Sequence, residues 1–201
     1  MLTFHSDKHK FFDELLPFIC GLSACGIAFI SSGDTTKVIS ADATVTLYGS
    51  PKGINQGLIF NPNELLKSIH TNKWPTLIEI NELPVPFERE SSNRDIYGIL
   101  KIVEYMAQAA FIQYYEKVVY LIRSKYGGDP LQWPPVLNFA RVIRNAFSHG
   151  GKIHFDNKVS YSVNWRTLTY SYADQDREIM YKDISAVEII YLMQDMDELI
   201  P

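Results

Sequence analysis

Arg144, Asn145, Ser148 and His149 place a guanidinium, an amide, a hydroxyl and an imidazole within six residues. A guanidinium holds phosphate oxygens, and an imidazole can take or give a proton near neutral pH. On an ideal helix Arg144 and His149 are offset by about 140°, so one straight helix cannot aim both at the same atom. Asn145 and His149, at i and i+4, do share a face, which lets the amide hold the imidazole in one tautomer. Arg144 more naturally completes a site across a twofold axis, where a second copy adds a second His149 and hence both an acid and a base.

The segment that must position these groups runs from Val136 to His149. On a helical wheel Val142, Ala146, Phe139, Ile143, Val136, Phe147 and Ala140 fill an apolar arc of about 160°. The remaining arc holds Arg144, Leu137, Ser148, Arg141, Asn145, Asn138 and His149. A solvated face ordinarily mixes both charge signs, and this one carries no acid, a composition that suits phosphate oxygens. Arg141, Ser148 and Asn138 therefore join the candidate phosphate ligands.

Local charge points the same way. Lys117 to His154 contains six bases (Lys117, Arg123, Lys125, Arg141, Arg144, Lys152) and one acid, Asp129, giving +5 and leaving −9 for the rest of a chain of net charge −4. With a pI near 5.7 the whole molecule repels polyanions, so any such site must be local, and Arg123, Lys125 and Lys152 are its further candidate contacts. Tyr105, Tyr114, Tyr115, Tyr120 and Tyr126 offer either stacking surfaces for bases or core packing, the second being the commoner use.

Three stretches of chain surround that segment. Up to Pro86 the pattern is mixed: Gly26 to Ser31, Lys37 to Ser40, Thr44 to Tyr48 and Gly57 to Phe60 predict short strands, Asn63 to Asn72 a helix, and Thr76 to Glu90, with two prolines, an extended connector. From Ser92 to Tyr126 apolar residues recur every three or four positions without proline, which predicts one long helix capped by Ser92 or Asn93 and stopped at Gly127-Gly128-Asp129-Pro130. The next helix starts near Pro134-Pro135 and stops at Gly150-Gly151, and the short linker makes the two antiparallel. Lys152 to Phe155, Lys158 to Val163 and Thr167 to Tyr172 then predict strands, with Asp156-Asn157 as a hairpin turn. A last helix, capped by Asp183 or Ser185, reaches Ile200. The fold class is α+β, mainly α: residues 1–90 a mixed β/α elaboration, residues 91–201 an antiparallel helical bundle with a β hairpin before its final helix, together one compact unit.

At 201 residues and 46% hydrophobic the chain can bury a substantial core, which sets disorder aside. Cys20 and Cys25 form neither a disulfide framework nor a zinc set, which favours the cytoplasm. Leu22-Ser23-Ala24-Cys25 looks like a lipoprotein cleavage box, but Asp13 and Glu14 interrupt its lead-in and Gly26 to Ile30 are apolar, so a buried core segment is expected, with no membrane partner. No metal-ligand spacing or cofactor loop is found. Gly49-Ser50-Pro51-Lys52-Gly53 is not a phosphate loop, and His5, His9, His70 and His154 have no partners at useful spacing.

The run Val142-Ile143-Arg144-Asn145-Ala146-Phe147-Ser148-His149-Gly150-Gly151 resembles the signature of the HEPN superfamily, an Arg, a polar residue and a His near a helix end. Val163-Asn164-Trp165-Arg166-Thr167-Leu168-Thr169-Tyr170 is similar to the strand region of some bacterial and plasmid-borne members, and the likeness spans about residues 92 to 200. It implies a HEPN-like bundle and a metal-independent endoribonuclease without cofactor, a toxin or defence effector acting on RNA. Arg144, Asn145 and His149 are its implied catalytic residues. Its implied partners are a second copy and a cognate nucleotidyltransferase-type antitoxin. RNA cleavage without metal needs a base for the 2′-hydroxyl proton, an acid for the leaving oxygen and cations for the phosphorane, roles that His149 and Arg144 fit. Some members keep the fold without the activity, so a module binding nucleotide, RNA or a protein partner stays open. In that case His149 benefits only from the helix dipole and Arg144 pairs with Asp195, Asp197 or Glu198.

Overall fold

A strand buries alternate residues and a helix every third or fourth, and both periods recur along this chain. The structure, a computed structural model, describes residues 1–33, 43–54, 56–84, 99–155 and 160–200. In chain order its elements are β1 (Leu2–His5), α1 (Phe12–Gly33), β2 (Val45–Tyr48), β3 (Gln56–Phe60), α2 (Pro62–His70), β4 (Leu77–Pro84), α3 (Ile99–Tyr126), α4 (Pro135–Ser148), β5 (Val163–Trp165), β6 (Leu168–Tyr170) and α5 (Ala186–Asp197). About half of the chain is helical, so the mainly α, α+β class holds.

Four strands form an antiparallel sheet in the order β1-β4-β3-β2. Along β4, Ile78 and Ile80 are buried while Leu77 and Glu79 face out, and the register sets Phe4 opposite Ile78. This inner strand corrects the expectation of an irregular connector from Thr76. Pro84 falls at its last position, where a missing N–H leaves the interior ladder intact, and residues 85–90 lie outside the described residues. Residues 26–31 are a second correction. They continue α1, which has already buried Leu15, Leu16, Ile19 and Leu22 at helical spacing, rather than form a strand. Ser23, in the lipoprotein-like tetrapeptide, is fully buried and donates its hydroxyl to the Ile19 carbonyl. The strand expected over Lys37 to Ser40 lies outside the described residues.

α3 packs against α1, α4 and α5, while α4 packs against α5 and β5. Phe147 meets Phe111, and three residues earlier Arg144 meets Glu116, so α3 and α4 run antiparallel. The expected Ser92 or Asn93 cap of α3 lies outside the described residues. Between α4 and α5 the hairpin sits later than expected: β5 and β6 pair through Arg166-Thr167. Arg166 takes a left-handed backbone (φ 50), held by two hydrogen bonds to Asp195 and by stacking over Trp165 and Tyr191. Residues 152–155 instead run alongside 176–179, joined by Ile153 N–H to Arg177 O and Asp176 N–H to Ile153 O. The Asp156-Asn157 turn lies outside the described residues.

α5 begins with a capping box: the Ser185 hydroxyl oxygen accepts from the backbone N–H groups of Val187 and Glu188, and the Glu188 carboxylate accepts from the Ser185 N–H. Glu188, fully buried, also accepts from the backbone N–H groups of Ser50 and Ile54. That carboxylate ties the β2–β3 loop to the start of α5. One continuous core joins Phe4, Phe11, Leu58 and Ile78 to Tyr114, Phe139 and Ile190, so the two parts of the chain share their apolar interior.

Candidate functional site

α4 forms because Pro135 occupies its first turn, where no N–H is needed, and because its apolar arc fills the core with Phe139, Ala140, Val142, Ile143, Ala146 and Phe147. Two residues expected on the polar arc are in fact buried. Leu137 is fully enclosed, and Asn138 is 9% exposed with its carbonyl oxygen accepting from Arg141 Nε. Asn138 is thus a brace for Arg141 rather than a surface ligand, because helix positions that border the apolar arc are covered when neighbouring elements pack on both sides. Arg141 also donates to the hydroxyl of Tyr161 at 3.0 Å.

Arg144 points across to α3. Its guanidinium lies 2.6 Å from Glu116, and it donates at 3.4 Å to the Asn145 side chain. Glu116 sits one residue before the basic stretch counted in the sequence, so a linear charge count leaves out the acid that the fold supplies. Neither Asp195 nor Asp197 is Arg144's partner. Asp195 holds Trp165 and Arg166, and Asp197 accepts from Tyr114 and the Lys10 N–H. Arg141, Arg123 and Arg144 all act on Tyr115. Burial pushes its hydroxyl up to about 12, and these three cations partly offset that rise. Arg123 is exposed near the end of α3, and Lys125 turns to the Leu199 carbonyl.

His149 caps α4. Its N–H returns to the carbonyls of Asn145 and Ala146, and Gly151 N–H also reaches Ala146. Gly150 and Gly151 have φ of 71° and 79°, conformations that side chains resist, so the glycines let the chain turn back sharply. The turn brings His154 onto His149, with ring centroids 3.9 Å apart and an interplanar angle of 27°. Ser148 Oγ bonds the Arg144 carbonyl, and Asn145 is turned to Arg144, so the His149 ring is held by His154 and not by the amide expected to orient it.

His154 is itself oriented. Phe155 N–H donates to Gln175 Oε1 at 2.9 Å, which turns the amide nitrogen to His154 Nδ1 at 3.2 Å. An amide nitrogen only donates, so this contact uses His154 Nδ1 as the acceptor. The sequence hides His154 because a position five residues from His149 is no helical neighbour; the Gly150-Gly151 pair is the one signal of a reversal. His5 and His9 also pair, with rings stacked at 6.3 Å.

Lys152, exposed beside this pair, lines a cleft of about 460 Å³ with Lys52, Asp176, Arg177, Glu178 and Lys182. Among the described residues no three His, Cys, Asp or Glu side chains converge as a metal site, and no helix is long and apolar enough to cross a membrane. The chain matches no protein-family model, no curated protein and no solved structure.

Proposed function

We propose that the chain is a metal-independent endoribonuclease of the HEPN type, a cytoplasmic toxin or defence effector with His149 at the reacting atoms. The observation that carries this reading is the exposed His149 imidazole at the end of α4, stacked on a second imidazole and flanked along the same helix by Arg141 and Arg144. In the reaction the 2′-oxygen bonds to phosphorus and the 5′-oxygen leaves, yielding a 2′,3′-cyclic phosphate and a 5′-hydroxyl. A base takes the 2′-hydroxyl proton and an acid returns one to the 5′-oxygen, while a cation meets the phosphorane charge. A second copy of the chain, placed with its twofold axis near Arg144 to His149, supplies the second acid-base group and a guanidinium from outside the helix. A cognate nucleotidyltransferase-type antitoxin would restrain the activity.

The test is cleavage of single-stranded and structured RNAs in EDTA, with His149→Ala beside the wild type. Cleavage that persists in EDTA and disappears in the variant supports the reading; an intact RNA panel overturns it. One observation favours the second reading, a non-catalytic module binding nucleotide, RNA or protein: Arg144 is already neutralised by Glu116. Under that reading Arg144→Ala changes stability and nothing else.

A further inference from the structure

The cleft beside the histidines is assembled from three distant stretches of chain. Lys52 comes from the β2–β3 loop, Lys152 from the segment after α4, and Arg177 and Lys182 from the loop before α5. Four cations and two carboxylates line it, and two further carboxylates, Asp174 and Asp183, stand behind Arg177 and Lys52. Its carboxylates are engaged. Glu178 is bonded to Lys182 at 2.8 Å, and Asp176 Oδ1 lies 3.3 Å from the Gln175 amide nitrogen. Arg177 is fixed from behind by Asp174 and by the fully buried Asp183, which also accepts from Tyr170 and stands 3.6 Å from Lys52. Lys152 is exposed, pairs with Glu178 in an isolated antiparallel bridge and adds its charge to that of Lys182 on the Glu178 carboxylate. In the extended run 152–155, Ile153 and Phe155 are buried, so Lys152 and His154 project from the opposite face, about 7 Å apart along the chain.

We infer that this cleft is the phosphate-binding subsite for the RNA strand that enters the His149–His154 site, with Lys152, Lys52 and Lys182 as its contacts. The inference rests on the ribonuclease reading of His149 and adds the track that the substrate follows. A strand whose scissile phosphate lies at His149 runs over His154 and places its next phosphates against Lys152 and the cleft. On an acidic protein this gathers Lys52, Lys152 and Lys182 in one place, where Lys182 and Lys52 exchange the Glu178 and Asp183 carboxylates for phosphate oxygens.

The experiment measures anisotropy of a labelled 2′-O-methyl oligoribonucleotide, which lacks the attacking hydroxyl, over a salt series. Lys152→Gln, the Lys152→Gln/Lys182→Gln double variant and His149→Ala are compared with the wild type, and thermal melts confirm folding. The expected result is weaker binding by the lysine variants, with the slope of log K against log salt falling by about 0.7 for each phosphate that is no longer neutralised. Unchanged affinity and slope in the double variant, or no binding by the wild type, overturns the inference and leaves a structural ion-pair cluster only. Competition by a free mononucleotide at concentrations far below those of the oligonucleotide also overturns it, assigning the cleft to a nucleotide. Cleavage in EDTA abolished only by His149→Ala, beside lysine variants that bind and cleave normally, sinks the cleft and spares the nuclease. Salt-dependent binding through the lysines without cleavage by the wild type does the reverse.

Discussion

His149 and His154 form a pair that distance along the chain conceals. Removing His149 truncates an exposed side chain, so His149→Ala should leave the melting temperature nearly unchanged while cutting RNA cleavage by about 10² to 10⁴-fold. A large loss of stability with no cleavage to lose would assign the residue to the helix end alone. Arg144→Ala should lower turnover as well, through loss of charge stabilisation at phosphorus. Glu116→Gln works in the other direction. It releases a guanidinium held at 2.6 Å and should tighten RNA binding at low salt, which filter binding would measure; a weaker complex would place Arg144 outside the site.

The buried Glu188 is what couples two elements, since its oxygens take the Ser50, Ile54 and Ser185 N–H groups and the Ser185 hydroxyl. Glu188→Ala strands those donors without water, and urea unfolding should show a loss of about 3 kcal/mol or more. A loss below about 1 kcal/mol would mean the loop finds other partners. Ser185→Ala, removing the cap together with the hydroxyl's bond to Glu188, should cost about 1 to 2 kcal/mol. The helices α3, α4 and α5 were legible because each buries one stripe and carries its own stop signals. β4 was not, because prolines at 84 and 86 argued for a connector while the alternation of Ile78 and Ile80 needed strands on both sides to become an inner strand.

Across the whole molecule, the sheet and the helices share one core, with Phe11 edge-on to Tyr114 at 5.8 Å. A chain beginning at residue 91 would expose Tyr114 and the inner face of α5, and circular dichroism should show it failing to fold cooperatively; a sharp two-state melt would make the first part a separable appendage. The proposed twofold assembly predicts a mass of about 46 kDa by light scattering, twice the 23.0 kDa chain. A strict monomer would leave His149 and His154, among the described residues, as the only imidazoles near one another at the α4 end and would remove the composite-site argument.

The amino-acid sequence by itself determined α2, α3, α4, α5 and the Arg144 to His149 segment, though not α1, because apolar spacing and glycine or proline stops act locally. It also determined that the basic charge is concentrated between Lys117 and His154. The tertiary structure alone decided what each charge meets. Glu116 on α3 reaches Arg144, Asp195 goes to Arg166, Asn138 is covered, and the reversal at Gly150-Gly151 lays His154 on His149. It likewise gathered Lys52, Lys152, Arg177 and Lys182 into one cleft from segments with no common pattern. Such pairings depend on how elements pack, and side chains that meet across packed elements leave no periodicity in the chain for a sequence reading to detect.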